Sequence, residues 1–335
     1  MDEFLETVKQ LTGASDVRLG ESIQSLWSGY GVIQRAELSG VRVPFGNSPV
    51  QVVIKHIDLS QARSNRRGWG GDASHRRKVR SYEVESRFYE SFSHQCDDAC
   101  RVPAFVATHE KSDDRGWIIV LEDLDANGFN RRKKYADQHD IEACLSWLAH
   151  FHATFLSNAA SGLWPVGTYW HLETRPDEFA AMRNGPLKEY ADLIDRRLSN
   201  ATFQTLVHGD AKLANFCFSD RNHTPVAAVD FQYVGRGCGM KDVAYFISSC
   251  LDEREAAAQQ DSLLAFYFGQ LKSALQSARH AIEFNALERE WRDLYPIAWA
   301  DFCRFLLGWS PDHWKLNAYS DQMTQAAIDQ LETRD

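Results

Sequence analysis

Between residues 206 and 246 the chain reads LVHGDAKLANFCFSDRNHTPVAAVDFQYVGRGCGMKDVAYF, and a few polar side chains there recur at spacings suited to phosphoryl transfer. His208, Asp210 and Asn215 form H-G-D-x-x-x-x-N; the run VAAVD ends in Asp230, twenty residues after Asp210, and Asp242 follows twelve residues later. A hydroxyl that attacks phosphorus needs a carboxylate near its proton, and Asp210 can provide one. A polyphosphate needs its charge neutralised by Mg²⁺, which takes hard oxygen ligands of the kind Asn215 and Asp230 carry. Phosphoryl-transfer enzymes use the same order: a catalytic Asp, a metal-binding Asn five residues on, then a metal-holding Asp in a D-F pair.

The upstream sequence narrows the class. No G-x-x-x-x-G-K-[ST] is present, so a P-loop is excluded. Lys55 instead ends the apolar run VVIK, as a phosphate-pairing lysine on a third strand would. Gly29 and Gly31, in SGYG at 28–31, precede it by about one hairpin, in the place of a phosphate cover, although such a pair alone marks any turn. With VVIK, the segments RKVRSYEVESRFY (77–89), VLEDL (120–124), LAHFHA (148–153), HGDAKLANF (208–216), VDFQ (229–232) and KDVAYF (241–246) give the chain a recognisable series. It resembles the aminoglycoside phosphotransferase and choline kinase superfamily, and within it the ecdysteroid-kinase-like (CHK kinase-like) group. The resemblance runs from about residue 30 to 246; residues 247–335 match in helical character.

The resemblance implies an α+β, two-lobed protein-kinase-like fold with a small β-rich N-lobe, a larger mainly helical C-lobe, and ATP between them. Asp210 would orient or deprotonate the acceptor hydroxyl, Lys212 would neutralise the transferring phosphoryl group, and Asn215 and Asp230 would hold Mg²⁺. Lys55 would contact the α and β phosphates with Glu85 as ion-pair partner, Glu83 being the other candidate on that helix. Backbone groups near Glu122 and Leu124 would meet adenine, and His208 and Asp242 would brace the catalytic loop. Gln232 stands where protein kinases have the glycine of D-F-G, and eleven residues separate Asp230 from Asp242, too few for a peptide-docking segment. The expected acceptor is therefore a hydroxyl on a small molecule. A catalytically silent nucleotide-binding regulator of the same fold is the alternative, with a protein kinase third.

These residues need elements to position them. YGVIQRAEL (30–38) and the β-branched VQVVIKHI (50–57), joined by a Gly/Pro/Asn-rich turn, predict a hairpin. WIIVLEDL (117–124) predicts a buried strand, and SYEVESRFYESF a helix beginning near residue 82 after a polar, basic loop over 58–80. From about residue 140 the patterns are helical, which places the lobe boundary at 124: a nucleotide-binding lobe over 1–124 and a catalytic, acceptor-binding lobe over 125–335. GRGCG (235–239) reads as a flexible connector rather than a phosphate cradle. Trp291, Tyr295 and Trp299 recur every four residues, as core packing or as a wall of the acceptor site beside Asp301; Pro296 between them predicts a kink or a helix start.

Composition excludes several classes. With 44% hydrophobic and 25% charged residues the chain is an ordinary globular protein, and its apolar runs are far short of a membrane span. Seven cysteines without framework spacing read as free thiols. The start Met-Asp-Glu has no signal-peptide pattern, so a cytoplasmic location is expected. The net charge of −9 divides as −2 over 1–124 and −7 over 125–335, which argues against nucleic acid and leaves room for a cationic substrate.

Overall fold

The computed structural model describes residues 2–26, 29–43, 46–59, 72–111, 116–219 and 225–333, so Ser28 and most of the basic stretch before residue 72 lie outside the described residues. The chain divides into two compact units. One comprises Met1–Asp97, Val102–Arg131 and Ser219–Arg221; the other comprises Asp98–Arg101, Arg132–Phe218 and Asn222–Asp335.

The first unit opens with helix α1 (Asp2–Thr12), followed by strands β1 (Asp16–Ser25), β2 (Gly31–Ser39), the short pair β3 (Arg42–Val43) and β4 (Gly46–Asn47), and β5 (Val50–Asp58). Helix α2 (Asp72–Ser91) and strands β6 (Phe105–Glu110) and β7 (Gly116–Glu122) complete it. The long strands form one antiparallel sheet in the order β1-β2-β5-β7-β6, with Ile33 opposite Lys55 and Lys55 opposite Ile119. Side chains alternate across a strand. Val50, Val52 and Ile54 of β5 thus join Ile118 and Val120 of β7 in a core closed by Val8, Phe4 and Leu5 of α1. Lys55 points to the opposite face, where α2 packs and Tyr82 lies 6.4 Å from the Trp117 ring. Both faces being covered, every residue of β7 is buried, which is why it reads as a continuous apolar run. The predicted hairpin is the β2–β5 pair, carrying β3 and β4 in its connection. Helix α2 begins at Asp72, not near 82, so Arg76, Arg77, Lys78 and Arg80 ride on a helix rather than a loop.

The second unit begins with α3 (Gln138–Thr154), whose start is fixed by a capping box between Asp137 and Asp140, at 2.9 and 3.1 Å. Short helices α4 (Pro176–Ala181), α5 (Pro186–Glu189) and α6 (Ala191–Ser199) follow, then two small ribbons. In these, β8 (Thr205–Val207) pairs with β11 (Gly235–Gly237), and β9 (Phe216–Phe218) with β10 (Val226–Ala228). Four helices close the unit: α7 (Met240–Cys250), α8 (Glu253–Ser277), α9 (Phe284–Trp309) and α10 (Ala318–Glu332). The GRGCG segment is accordingly not a flexible connector. Gly235 lies in β11, where a Cβ would come within 2.3 Å of the Trp164 carbonyl oxygen. Helix α9 runs through Pro296 without ending, in a stretch buried on all sides from Leu294 to Leu306. Burial all round is what holds a helix together across a residue that removes one of its hydrogen bonds.

Candidate functional site

In the first unit, Lys55 Nζ lies 2.5 Å from Glu85 Oε2, and both side chains are almost wholly buried. Glu83, the other candidate, pairs with Arg80 at 2.8 Å and is only half-buried. The helix twist decides between them: Glu85 follows Tyr82 and Ser81 on the buried face, while Glu83 faces outward. Gly31 has φ +141°, and a Cβ there would sit 1.9 Å from the His56 carbonyl oxygen, so β5 alone requires this glycine. Gly29, at φ +76°, turns the chain just before β2, its amide donating to the Leu26 carbonyl at 3.1 Å. At the end of β7 the Glu122 amide donates to the Ala104 carbonyl, and the Glu122 carboxylate accepts from the Ala104 amide, each at 2.9 Å. The Leu124 carbonyl accepts from Phe129 N–H at 2.8 Å, and Arg35 holds the intervening Asp123 at 2.9 Å. The segment is a braced turn that leaves β7.

The second unit carries the H-G-D-x-x-x-x-N segment between β8 and β9. Gly209 has φ +80°, and a Cβ there would come within 2.1 Å of the Tyr233 carbonyl oxygen, so only glycine lets the loop turn here. Asp242, in the first turn of α7 and fully buried, accepts the backbone N–H groups of His208 at 2.5 Å and Gly209 at 2.9 Å. His152 of α3 touches the same carboxylate through Nε2 at 3.2 Å and Tyr267 through Nδ1 at 2.7 Å. His208 accepts the Asp210 amide on Nδ1 at 3.2 Å and contacts the Val229 carbonyl through Nε2 at 3.0 Å, which ties the loop to the strand leading to Asp230.

Asp210 is held on both carboxylate oxygens. Lys212 Nζ donates to Oδ2 at 2.8 Å and Asn215 Nδ2 to the same oxygen at 3.1 Å, while the Tyr245 hydroxyl donates to Oδ1 at 3.1 Å. Asn215 also donates to the Asp210 carbonyl at 2.8 Å, so its amide oxygen is turned away from Asp210. Asp230 adopts a left-handed backbone at φ +73°, a strained conformation for a residue with a Cβ. Burial pushes the Asp210 carboxyl up, as does the nearby Asp230 charge, while Lys212 pulls the other way. Burial alone would lower the Lys212 ammonium, but the Asp210 carboxylate outweighs it and the net shift is upward. Two carboxylates close enough to repel, next to a primary amide, are a donor set that suits a hard divalent cation. Among the described residues no group of three or more His, Cys, Asp or Glu is arranged to hold a metal ion, and all seven cysteines are free thiols.

The aromatic stripe of α9 divides. Trp291 and Tyr295 are core residues, Trp291 donating to the Phe203 carbonyl at 3.0 Å. Trp299 donates to Ser320 Oγ at 2.9 Å and lines a recess of about 10 Å³, room for little more than a water molecule, with Ser248, Leu251, Trp314, Lys315 and Tyr319. Asp301 is buried and neutralised by Arg304 at 2.8 Å and Lys241 at 3.7 Å, with Trp170 donating to it at 3.0 Å. It offers no charge to a cationic acceptor. Sequence spacing gave no sign of two groups that the fold brings to Asp210. Tyr245 touches it directly, and Lys315 lies over the Tyr245 ring with its ammonium 4.9 Å from the centroid.

A β-rich unit carrying a buried Lys–Glu pair and a helical unit carrying the braced Asp–Asn–Asp loop define a kinase-like α+β fold. Solved structures share it. One is a Ralstonia eutropha JMP134 protein provisionally described as an aminoglycoside phosphotransferase: 13% identity, 99% of this chain and 96% of that one covered, TM-score 0.53. Another is amicoumacin kinase in complex with AMP-PNP, Ca²⁺ and its ligand Ami: 11% identity, 100% and 93% covered, TM-score 0.50. No curated protein matches the sequence. The ecdysteroid kinase-like family profile matches residues 70–161 and 167–280, and the chain belongs to that family.

Proposed function

We propose that the protein transfers the γ-phosphoryl group of ATP to a hydroxyl group of a small molecule, with Mg²⁺ as the metal. The observation that carries this reading is the buried Asp210 carboxylate, anchored by Lys212 and Asn215 on one oxygen and adjoining a second carboxylate, Asp230. In this reading the acceptor oxygen bonds to phosphorus as the bond from phosphorus to the β,γ-bridging oxygen breaks, ADP leaves with that electron pair, and the hydroxyl proton passes to Asp210 and then to water. Asp210 aims the hydroxyl and takes its proton, its raised affinity for protons bringing it nearer the working range of a general base. The Lys212 ammonium holds Asp210 in place and balances charge on the moving phosphoryl group. Lys55, kept extended by Glu85, contacts the α and β phosphates, Gly29 and Gly31 border them, and backbone groups near Glu122 and Leu124 meet adenine. Asn215, through its amide oxygen, and Asp230 would hold Mg²⁺, which when bound supplies charge neutralisation at the phosphate oxygens.

A small acceptor is favoured by what fills the interval between Asp230 and Asp242: a tight turn, β11 and the start of α7, with no span left to dock a peptide. The test is Asp210→Asn. With an acceptor found by ADP release from a panel of alcohols, kcat should fall by at least about a hundredfold while ATP affinity stays within a few-fold. An unchanged kcat would remove Asp210 from the reaction and the reading with it.

A further inference from the structure

The two oxygens of Asp210 face different partners. Oδ2 meets Lys212 and Asn215, the groups assigned above to phosphate and metal, whereas Oδ1 meets Tyr245. In the phosphotransferase reading the acceptor hydroxyl approaches from the Oδ1 side, so the groups around Tyr245 are the ones the rest of the acceptor would meet. Lys315, from the segment joining α9 to α10, is a charged group on that side. Its ammonium lies 4.9 Å from the Tyr245 ring centre, 5.2 Å from Phe302 and 5.6 Å from Trp314. Ser248 Oγ, one turn along α7 from Tyr245, accepts from it at 3.2 Å. Among the described residues no carboxylate lies within ion-pairing distance, and a lysine ammonium has three protons to donate. Burial lowers its pKa to about 8, Asp210 acting against that trend and Lys212 with it.

Lys315 also lines the recess with Trp299, Trp314 and Tyr319. Two carboxylates, Asp252 and Glu253, line it as well, both exposed and both still charged while they accept backbone N–H groups. Asp252 caps α8 through the amides of Arg254 and Glu255, and Glu253 accepts from the Ala318 amide at 3.1 Å. Two carboxylates and a water-sized space make the recess itself no oxyanion pocket, so a ligand would meet Lys315 from the Tyr245 side.

We propose that Lys315 is the specificity residue for the acceptor, binding an oxyanion, carboxylate or phosphate ester, carried on the same molecule as the hydroxyl that reacts. This rests on the phosphotransferase reading for the identity of the reacting hydroxyl, but the oxyanion site itself does not. Phosphates of the nucleotide are the other source of the same chemistry, disfavoured here because they belong with the Oδ2 partners.

The test uses the full chain and the matched pair 4-(hydroxymethyl)benzoate and 4-(hydroxymethyl)benzamide, with glycerate and glyceramide as a second pair, at equal concentration and ionic strength. Melting temperature is read for wild type, Lys315→Met and Lys315→Arg, with MgATP as a separate arm. At least one of the two anions should raise the melting temperature of wild type above its amide, with affinity weakened about tenfold or more in Lys315→Met and largely kept in Lys315→Arg, while the MgATP shift stays unchanged in both. Equal shifts from anion and amide, anion shifts that survive Lys315→Met, or no shift from either anion would overturn the proposal. So would loss of the MgATP shift in Lys315→Met, which would give the lysine to the nucleotide. A wild type that binds the anions but not MgATP would instead count against the phosphotransferase reading and leave the oxyanion site standing.

Discussion

Lys315 is a lysine that the fold holds at a disadvantage. Three aromatic rings and one hydroxyl surround it, and burial brings its pKa from the ordinary 10.5 to about 8. Between those values the unfolded chain keeps the proton and the folded chain gives it up, so this group makes stability rise with pH across that window. Below about 8 both states are charged, and the full cost of burying the ammonium is present. Lys315→Met keeps the length and the ring contacts while removing the charge. The variant should melt a few degrees above wild type at pH 7, and the gap should narrow as pH rises toward 10. A Lys315→Met protein that melts lower at pH 7 would show that the cation–π attraction and the Ser248 hydrogen bond, both lost in methionine, outweigh the burial cost, and a margin independent of pH would show that the lysine does not titrate in this window. Stability given up at a side chain is common where binding needs the charge.

At the scale of elements, the H-G-D-x-x-x-x-N loop is a short turn held by groups from three helices. Asp242 of α7 binds two consecutive loop amides with its two oxygens, and His152 of α3, itself in contact with Tyr267 of α8, orients that carboxylate. An amide side chain has a single oxygen, so Asp242→Asn must leave the His208 or Gly209 N–H without its acceptor in a fully buried place. That costs about 1 to 3 kcal/mol, and more for the lost charge. Circular dichroism melts should show a drop of several degrees, and kcat should fall while ATP affinity changes little; an unchanged melting temperature would mean that the loop holds its shape without Asp242. The loop was legible in the sequence because its contacts are local: His208, Gly209, Asp210 and Asn215 fall within one turn, and spacing expresses that. The β2–β5 pair and β7 were legible because burial on one or both faces leaves an alternating or continuous apolar run. The first ten residues of α2 were not, since they are polar and carry no period. Strand β11 was hidden by its glycines, which stand there for close packing, Gly235 on Trp164 and Gly237 on Val207. Tyr245 and Lys315 were invisible as site residues for another reason: α7 and the α9–α10 segment are far from Asp210 in sequence, and no spacing rule spans a tertiary contact.

For the whole molecule, net charge and the charges at the site are separate quantities. Residues 125–335 carry −7, which leaves room for a cationic substrate, while Asp301 is neutralised by Arg304 and Lys241, and the acceptor contact proposed here is the ammonium of Lys315. Local placement outweighs the total because exposed charges are screened within about 8 Å at physiological salt and buried ones are not. Each unit carries its own share of the proposed nucleotide contacts, and the shares can be tested separately. A ligand that binds only the folded state stabilises it by RT ln(1 + [L]/Kd), about 2.7 kcal/mol at a hundred times Kd. In the second unit, Asp230→Ala should abolish the part of the ATP-induced melting shift that depends on Mg²⁺ and leave the metal-free part. In the first unit, Lys55→Ala would take the lysine partner from the buried Glu85 carboxylate, at a cost of up to about 3 to 5 kcal/mol. The double variant Lys55→Met with Glu85→Gln avoids that cost. It should fold, and it should reduce the ATP shift both with and without Mg²⁺. Two variants that leave a clear wild-type ATP shift intact would take Lys55 and Asp230 out of the nucleotide site, and a metal-dependent loss in the double variant alone would reverse their roles.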